Sequence, residues 1–91
     1  MKVYLEQWFL GKKTIHIELN NIDDRMTIRN LIELWIANVI RSVDKISSTE
    51  FLMSKIELCN HSDYIYNKDN TLASYGIGEG AIFSVITSLS Y

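Results

Sequence analysis

Apolar residues recur along this chain at two different spacings, and the switch between them marks out the elements. From Lys2 to about Phe9, Val3 and Leu5 alternate with Lys2, Tyr4 and Glu6, the period of a strand with one buried face. Gly11-Lys12-Lys13 supplies a turn. Thr14-Ile15-His16-Ile17-Glu18-Leu19 then alternates with Ile15, Ile17 and Leu19 on one side. Two such runs about a short glycine turn predict a β-hairpin. Positions 20–26 form a polar loop. Thr27 suits a helix N-cap, because its hydroxyl accepts from the unpaired amides of the first turn. From Ile28 to Arg41 the spacing becomes helical. Ile28, Leu31, Ile32, Trp35 and Val39 share one face, with Ile36 and Ile40 at its margin. Arg29, Asn30, Glu33, Asn38 and Arg41 fall opposite, and Leu34 sits among them without an obvious core role.

The second half is built from shorter pieces. Ser47 and Glu50 have capping-box spacing, so a short helical turn is expected there. Lys55-Ile56-Glu57-Leu58 alternates as a third strand that continues to Cys59, and Asn60-His61-Ser62-Asp63 turns the chain. Tyr64-Ile65-Tyr66 reads as a brief fourth strand and Asn67-Lys68-Asp69-Asn70 as a second polar turn. Leu72 to Ile77 reads as a helical turn packed by Leu72, Tyr75 and Ile77, and Ala81 to Thr87 as the final strand. Proline is absent, so Gly, Asn, Asp and Ser must make the sharp turns. This order predicts an α+β fold, a mixed four- to five-stranded sheet with one main helix on one face. Residues 1–91 are expected to form a single domain.

Composition removes several function classes. Hydrophobic residues at 47% and charged residues at 22% fit a folded globule, not a disordered chain. A net charge of −2, with Lys12-Lys13 the only adjacent basic pair, lacks the basic footprint that phosphate contacts require, so no nucleic-acid partner is expected. The longest apolar-rich stretch, Leu31 to Ile40, is interrupted by Glu33 and Asn38. It falls short of the roughly 20 residues of a membrane helix. The N-terminal residues reach Glu6 without the apolar run of a signal peptide. The expectation is a cytoplasmic protein without membrane insertion.

Candidate chemistry is sparse. Cys59 is the single cysteine, which excludes an internal disulfide and a cysteine zinc cluster. Nothing flanking it would lower its pKa, so a buried or edge-strand thiol is the default. Gly76-Ile77-Gly78-Glu79-Gly80 lacks the strand before and full helix after that a phosphate-binding fingerprint needs, and reads as a turn. His61, Ser62 and Asp63 are sequence neighbours, and a catalytic relay requires members converging from different elements. His16 and His61 have no ligand-spaced partners, and Asp63, Asp69 and Glu79 lack calcium-loop spacing. No catalytic, cofactor-binding or metal-binding residue is assigned, and no cofactor is expected.

Several local patterns resemble a ubiquitin-like β-grasp domain. The helix opening Thr27-Ile28-Arg29-Asn30-Leu31 is similar to that family's threonine–isoleucine start. Thr71-Leu72-Ala73-Ser74-Tyr75-Gly76-Ile77 is similar to its threonine–leucine, tyrosine, isoleucine segment. The resemblance implies first and last strands that lie parallel at the sheet centre, and a buried Tyr75 whose hydroxyl ties to backbone. Conjugated and sulfur-carrying members end in a flexible tail closing with two glycines. This sequence ends Thr87-Ser88-Leu89-Ser90-Tyr91, so transfer through the terminus is not expected. Within the fold, Asn67 to Leu72 followed by Tyr75-Gly76-Ile77 and Gly80 resemble the YukD/EsaB group. Those small bacterial proteins accompany type VII secretion systems as regulatory or assembly partners. The group usually places an acidic residue after the glycine, where this chain has Ala81.

If Val3, Leu5, Ile15, Ile17, Phe83 and Val85 face the helix, alternation sends Tyr4, His16, Ile82 and Ile86 to the other side. Trp8 joins them unless a bulge near Gln7 returns Trp8 or Phe9 to the core. Tyr4, Trp8, His16, Ile82 and Ile86 are therefore the candidate protein-interface residues, and ubiquitin-like proteins engage partners through this face. The expected function is a non-catalytic, unconjugated interaction module whose protein partner belongs to the type VII secretion machinery. The alternatives are a modifier or sulfur carrier, and a small subunit of a larger enzyme complex. A homodimer through the apolar face or an unpaired edge strand is also compatible with the pattern.

Overall fold

The computed structural model describes residues 1–9, 11–39, 49–60 and 64–87. Val3–Phe9 (β1) and Lys12–Leu19 (β2) pair as the antiparallel hairpin. Gly11 sits at φ +77°, a left-handed conformation that disfavours a Cβ. Partners run from Val3↔Leu19 to Gln7↔Ile15 and then step to Trp8↔Lys13. β1 advances one residue there and β2 two, so Thr14 is the extra residue of a β-bulge. The bulge anticipated near Gln7 exists, but its insertion lies on β2. β1 keeps its alternation, and Trp8 stays on the face of Tyr4 and Glu6.

The helix Ile28–Val39 (α1) begins at the anticipated cap. Thr27 Oγ1 accepts from the Asn30 amide at 3.2 Å, while Asn30 Oδ1 accepts from the Thr27 amide at 3.0 Å. This is a reciprocal capping box with asparagine in the place of the usual acidic or glutamine residue. The Ile28 and Arg29 amides donate to the carbonyls of Asn70 and Lys68 at 3.0 and 2.9 Å. The loop at 67–71 thus satisfies the helix's unpaired first-turn donors. Ile28, Leu31, Ile32 and Trp35 are buried, and Ile36 and Val39 half-buried. Leu34, without an obvious core role in the sequence, is half-buried and packs on the core. α1 lies against a second helix, Thr49–Ser54 (α2), as well as against the sheet, so more of its circumference is covered than one sheet would cover. Ile40, Arg41 and the Ser47 half of the second capping box lie outside the described residues.

Ile56–Cys59 (β3) and Ala81–Thr87 (β4) complete a sheet of order β2-β1-β4-β3. β1 and β4 run parallel at its centre, from Val3↔Ala81 to Glu6↔Ser84, and β3 is antiparallel to β4. The strand expected at 64–66 is reduced to one bridge, Ile65↔Cys59. Tyr66 donates to the Leu58 carbonyl at 2.9 Å and Asn60 to that of Tyr64 at 3.0 Å. Pairing stops there because the chain turns at Asn67, while the Tyr66 ring packs edge-on against Phe83 and Tyr75.

The return to the helix is locked by Leu72, which is buried and donates to the Met26 carbonyl at 2.9 Å, and by Ala73, which donates to that of Asp24 at 2.8 Å. Ala73–Tyr75 is a 3-10 turn closed by Gly76 at φ +69°. The Tyr75 hydroxyl accepts from the Asn67 amide at 2.9 Å and from Asn70 Nδ2 at 3.1 Å, which hold its pKa below the usual phenol value. Its backbone tie is the one the resemblance implied, though its ring is half-buried, not fully enclosed. The core is formed by Val3, Leu5, Phe83 and Val85 from the central strands, Ile56 and Leu58 from β3, and the apolar face of α1. Trp35 sits fully buried in it, with an indole N–H that has no hydrogen-bond partner among the described residues.

Because Thr27 closes the box at the helix start, Thr27→Ala should lower unfolding free energy by about 1 kcal/mol. Urea denaturation measures this, with an unchanged m-value showing that the fold is retained.

Candidate protein-interaction face

Strand alternation gives the sheet two unlike sides. Val3, Leu5, Phe83 and Val85 go to the helix, and the residues between them form the uncovered face. Register arranges that face in rows. Glu18, Tyr4 and Ile82 make the first, since Tyr4 pairs with both neighbours. His16, Glu6, Ser84, Cys59 and Ile65 make the second, through the successive pairs His16↔Glu6, Glu6↔Ser84, Ser84↔Cys59 and Cys59↔Ile65. With strands about 4.8 Å apart, this row spans about 19 Å. Lys13↔Trp8 and Ile86↔Glu57 lie beyond it, toward the hairpin turn.

The five sequence-derived candidates all lie on this face. Trp8 is 51% exposed, Ile86 49% and Ile82 40%. His16 is exposed, and Tyr4 is half-buried because its ring stacks on His16, with centroids 5.4 Å apart and planes 28° from parallel. Sequence reasoning missed Ile65, 53% exposed at the end of the central row. It also missed Glu6, the one buried charged side chain among the described residues. Cys59 is buried on the edge strand, as its default reading held.

Glu6 is surrounded by donors. Its Oε2 is 2.8 Å from Lys13 Nζ and 2.8 Å from His16 Nδ1, and its Oε1 accepts from Trp8 Nε1 at 3.4 Å. Lys13 Nζ also lies 5.7 Å from the Trp8 ring centroid, within cation–π range. The Lys13 hydrogen bond, reinforced by His16 and opposed by burial, holds the Glu6 carboxyl below its ordinary value of 4.5. Two further acids of the face are matched as well. Lys2 bridges Glu18 at 3.2 Å and Lys68 bridges Glu57 at 3.0 Å. Three lysines thus answer three glutamates, and these pairs leave no net formal charge.

The row order also bears on chemistry. In a nucleophilic relay the imidazole stands between carboxylate and nucleophile. Here Glu6 stands between His16 and Ser84, with Cys59 one strand further away. The helix N-terminus, the other common anchor for an anionic group, is occupied by the carbonyls of Lys68 and Asn70.

No known family model and no curated protein sequence matches the chain. Solved structures do: 220 chains match, among them a ubiquitin from Caldiarchaeum subterraneum. That match has a TM-score of 0.71 and 18% identity, covering 99% of this chain and 95% of the other. The fold is a ubiquitin-like β-grasp. At that identity the likeness carries architecture alone, and a fold so widely used does not select a role. No helix among the described residues is long and apolar enough to cross a membrane.

The Glu6–Lys13 pair makes stability pH-dependent with a definite sign. A carboxyl whose folded pKa is depressed contributes stability above its unfolded value, and loses it as pH falls through the folded value. Lys13→Met should therefore lower the Tm most at pH 7. The deficit should shrink once acid protonates Glu6 in both proteins. Thermal unfolding followed from pH 7 to pH 2 checks this, and a deficit of constant size would contradict it.

Proposed function

We propose that this chain is a non-catalytic, unconjugated protein-interaction module of ubiquitin-like fold, acting in the cytoplasm by docking a partner on the open sheet face. One observation carries the reading: exposed Trp8, Ile82 and Ile86 and half-buried Tyr4 lie together on the two central strands, on a face where Glu6, Glu18 and Glu57 are already paired. Exposed apolar residues clustered on one face mark interfaces, and an aromatic such as Trp8 is the kind of anchor that concentrates binding energy. The matched charges favour a partner that presents an apolar, weakly charged segment.

The finer assignment, a YukD-like regulatory or assembly accessory whose partner belongs to a type VII secretion system, rests on the resemblance of Asn67 to Leu72, Tyr75-Gly76-Ile77 and Gly80. A second reading, a ubiquitin-like modifier or sulfur carrier, is favoured by the likeness to an archaeal ubiquitin along nearly the whole chain.

A photo-crosslinking residue at Trp8 should give one discrete adduct in the native cell, and the same residue at exposed Ala37 on α1 should give none. The double variant Trp8→Ser, Ile86→Ser should keep its cooperative unfolding and reduce recovery of that adduct partner at least tenfold. Undiminished recovery rejects this surface. Intact-mass measurement of the native protein separates the second reading: covalent attachment of the chain to other proteins, or a terminal thiocarboxylate, would establish it.

A further inference from the structure

We infer that Glu6 is the positioning residue of the open face, its buried carboxylate holding Trp8, Lys13 and His16, and through His16 the Tyr4 ring, in the array that a partner meets. The inference takes its purpose from the docking reading above. Its physical basis is independent of any partner.

Glu6 is 5% exposed on a face where Trp8, Ile82 and Ile86 are open to water. Taking a carboxylate out of water is costly even when it is paired, and an ion pair replaced whole by apolar residues of similar volume often leaves stability unchanged or raised. Packing of β1 on the helix does not use Glu6, because Val3 and Leu5 on the other side do that. What the carboxylate does uniquely is tie together side chains from two strands. Lys13 and His16 both converge on Oε2 from β2, and Trp8 reaches Oε1 from two residues along β1. On the other side its register neighbours, Ser84 on β4 and Cys59 beyond it on β3, carry no formal charge. No second carboxylate is paired in that row.

The two apolar flanks therefore refer to one anchor. An indole half-exposed near a hairpin turn samples several rotamers unless something restrains it. Trp8 has two restraints, the Glu6 oxygen and the Lys13 ammonium, and Lys13 is itself fixed by Glu6. Tyr4, on the opposite flank, stacks on a His16 ring oriented by the same oxygen. A face ordered in advance loses less conformational freedom when a partner binds. Neutralising Glu6 would release both flanks together.

The test reads the isolated protein by nitrogen-15 NMR. The two indole N–H signals are assigned with Trp8→Phe, and buried Trp35 serves as the internal reference. In Glu6→Leu, the heteronuclear NOE of the Trp8 indole should fall to less than half the wild-type value. The Trp35 signal should be unchanged and thermal unfolding still cooperative. Glu6→Gln, which keeps the shape and removes the charge, should lose order in the same direction. Acidifying the wild type should reproduce the loss with a midpoint below 4.5, a transition absent from Glu6→Gln. A Trp8 indole as ordered in both variants as in the wild type overturns the inference. Because no partner is present, that result leaves the docking reading standing. Undiminished partner recovery by the Trp8→Ser, Ile86→Ser variant would reject docking and leave the Glu6 array intact.

Discussion

The parallel pairing of β1 with β4 is the constraint on which the rest of the structure depends. Val3 to Glu6 lies beside Ala81 to Ser84, so segments from opposite ends of the sequence meet at the sheet centre. Such a contact stabilises the fold only after the intervening chain has been ordered. Hairpin, helix and return loop must therefore come into place with it. The same pairing makes both central strands two-sided. One side supplies Val3, Leu5, Phe83 and Val85 to the core. The other side has no covering layer among the described elements, and that is where the exposed aromatic and aliphatic residues gather.

The crossover is held in place by a polar junction, not only by apolar packing. Backbone amides at the start of α1 donate into the 67–71 loop, and amides of Leu72 and Ala73 donate back to Met26 and Asp24. The Tyr75 hydroxyl, accepting from Asn67 and Asn70, stiffens the loop from within. This reciprocity uses the helix N-terminus structurally and leaves it no amides for a ligand. It also fixes how the chain enters β4, and hence which side chains of β4 face outward.

Most of this architecture could be read from the sequence because strong periodicity and special residues agreed. The alternation of Ile15, Ile17 and Leu19, the helical spacing around Trp35 and the cap at Thr27 each pointed to one structure. Leu34, which has no obvious core role in the sequence, is half-buried against the core, because single-face arithmetic takes no account of what else packs around α1. Tyr64 to Tyr66 has strand-forming residues, yet the turn at Asn67 and the packing of Tyr66 on Phe83 leave only one bridge. The candidate face was legible as far as parity reaches: Tyr4, Trp8, His16, Ile82 and Ile86 all lie where alternation put them. Glu6 was not legible as a special position. In the sequence it is an ordinary polar residue of a half-buried strand. Its burial needs the His16 register and also the Thr14 bulge, which brings Lys13 opposite Trp8. Neither follows from spacing alone. Ile65 escaped for a related reason, since its membership of the central row depends on a single bridge to Cys59.

What the face can recognise follows from how its charges are disposed. Surface ion pairs contribute little to binding when they are already satisfied and screened by salt. A partner therefore gains chiefly by burying Tyr4, Trp8, Ile82 and Ile86, and loses if it sets an unpaired charge over the Glu6 row. Selectivity in such a site comes from shape, from the spacing of two apolar flanks about a polar centre, more than from long-range attraction. Tyr4 and Trp8 are four residues apart on one strand, about 13 Å at strand rise. That separation is too long for one side chain to bridge, so a partner must present two anchors to engage both flanks. This requirement holds whether the chain acts as a docking module or as a modifier. It is a property of the sheet's outer face and does not depend on chemistry at a terminus.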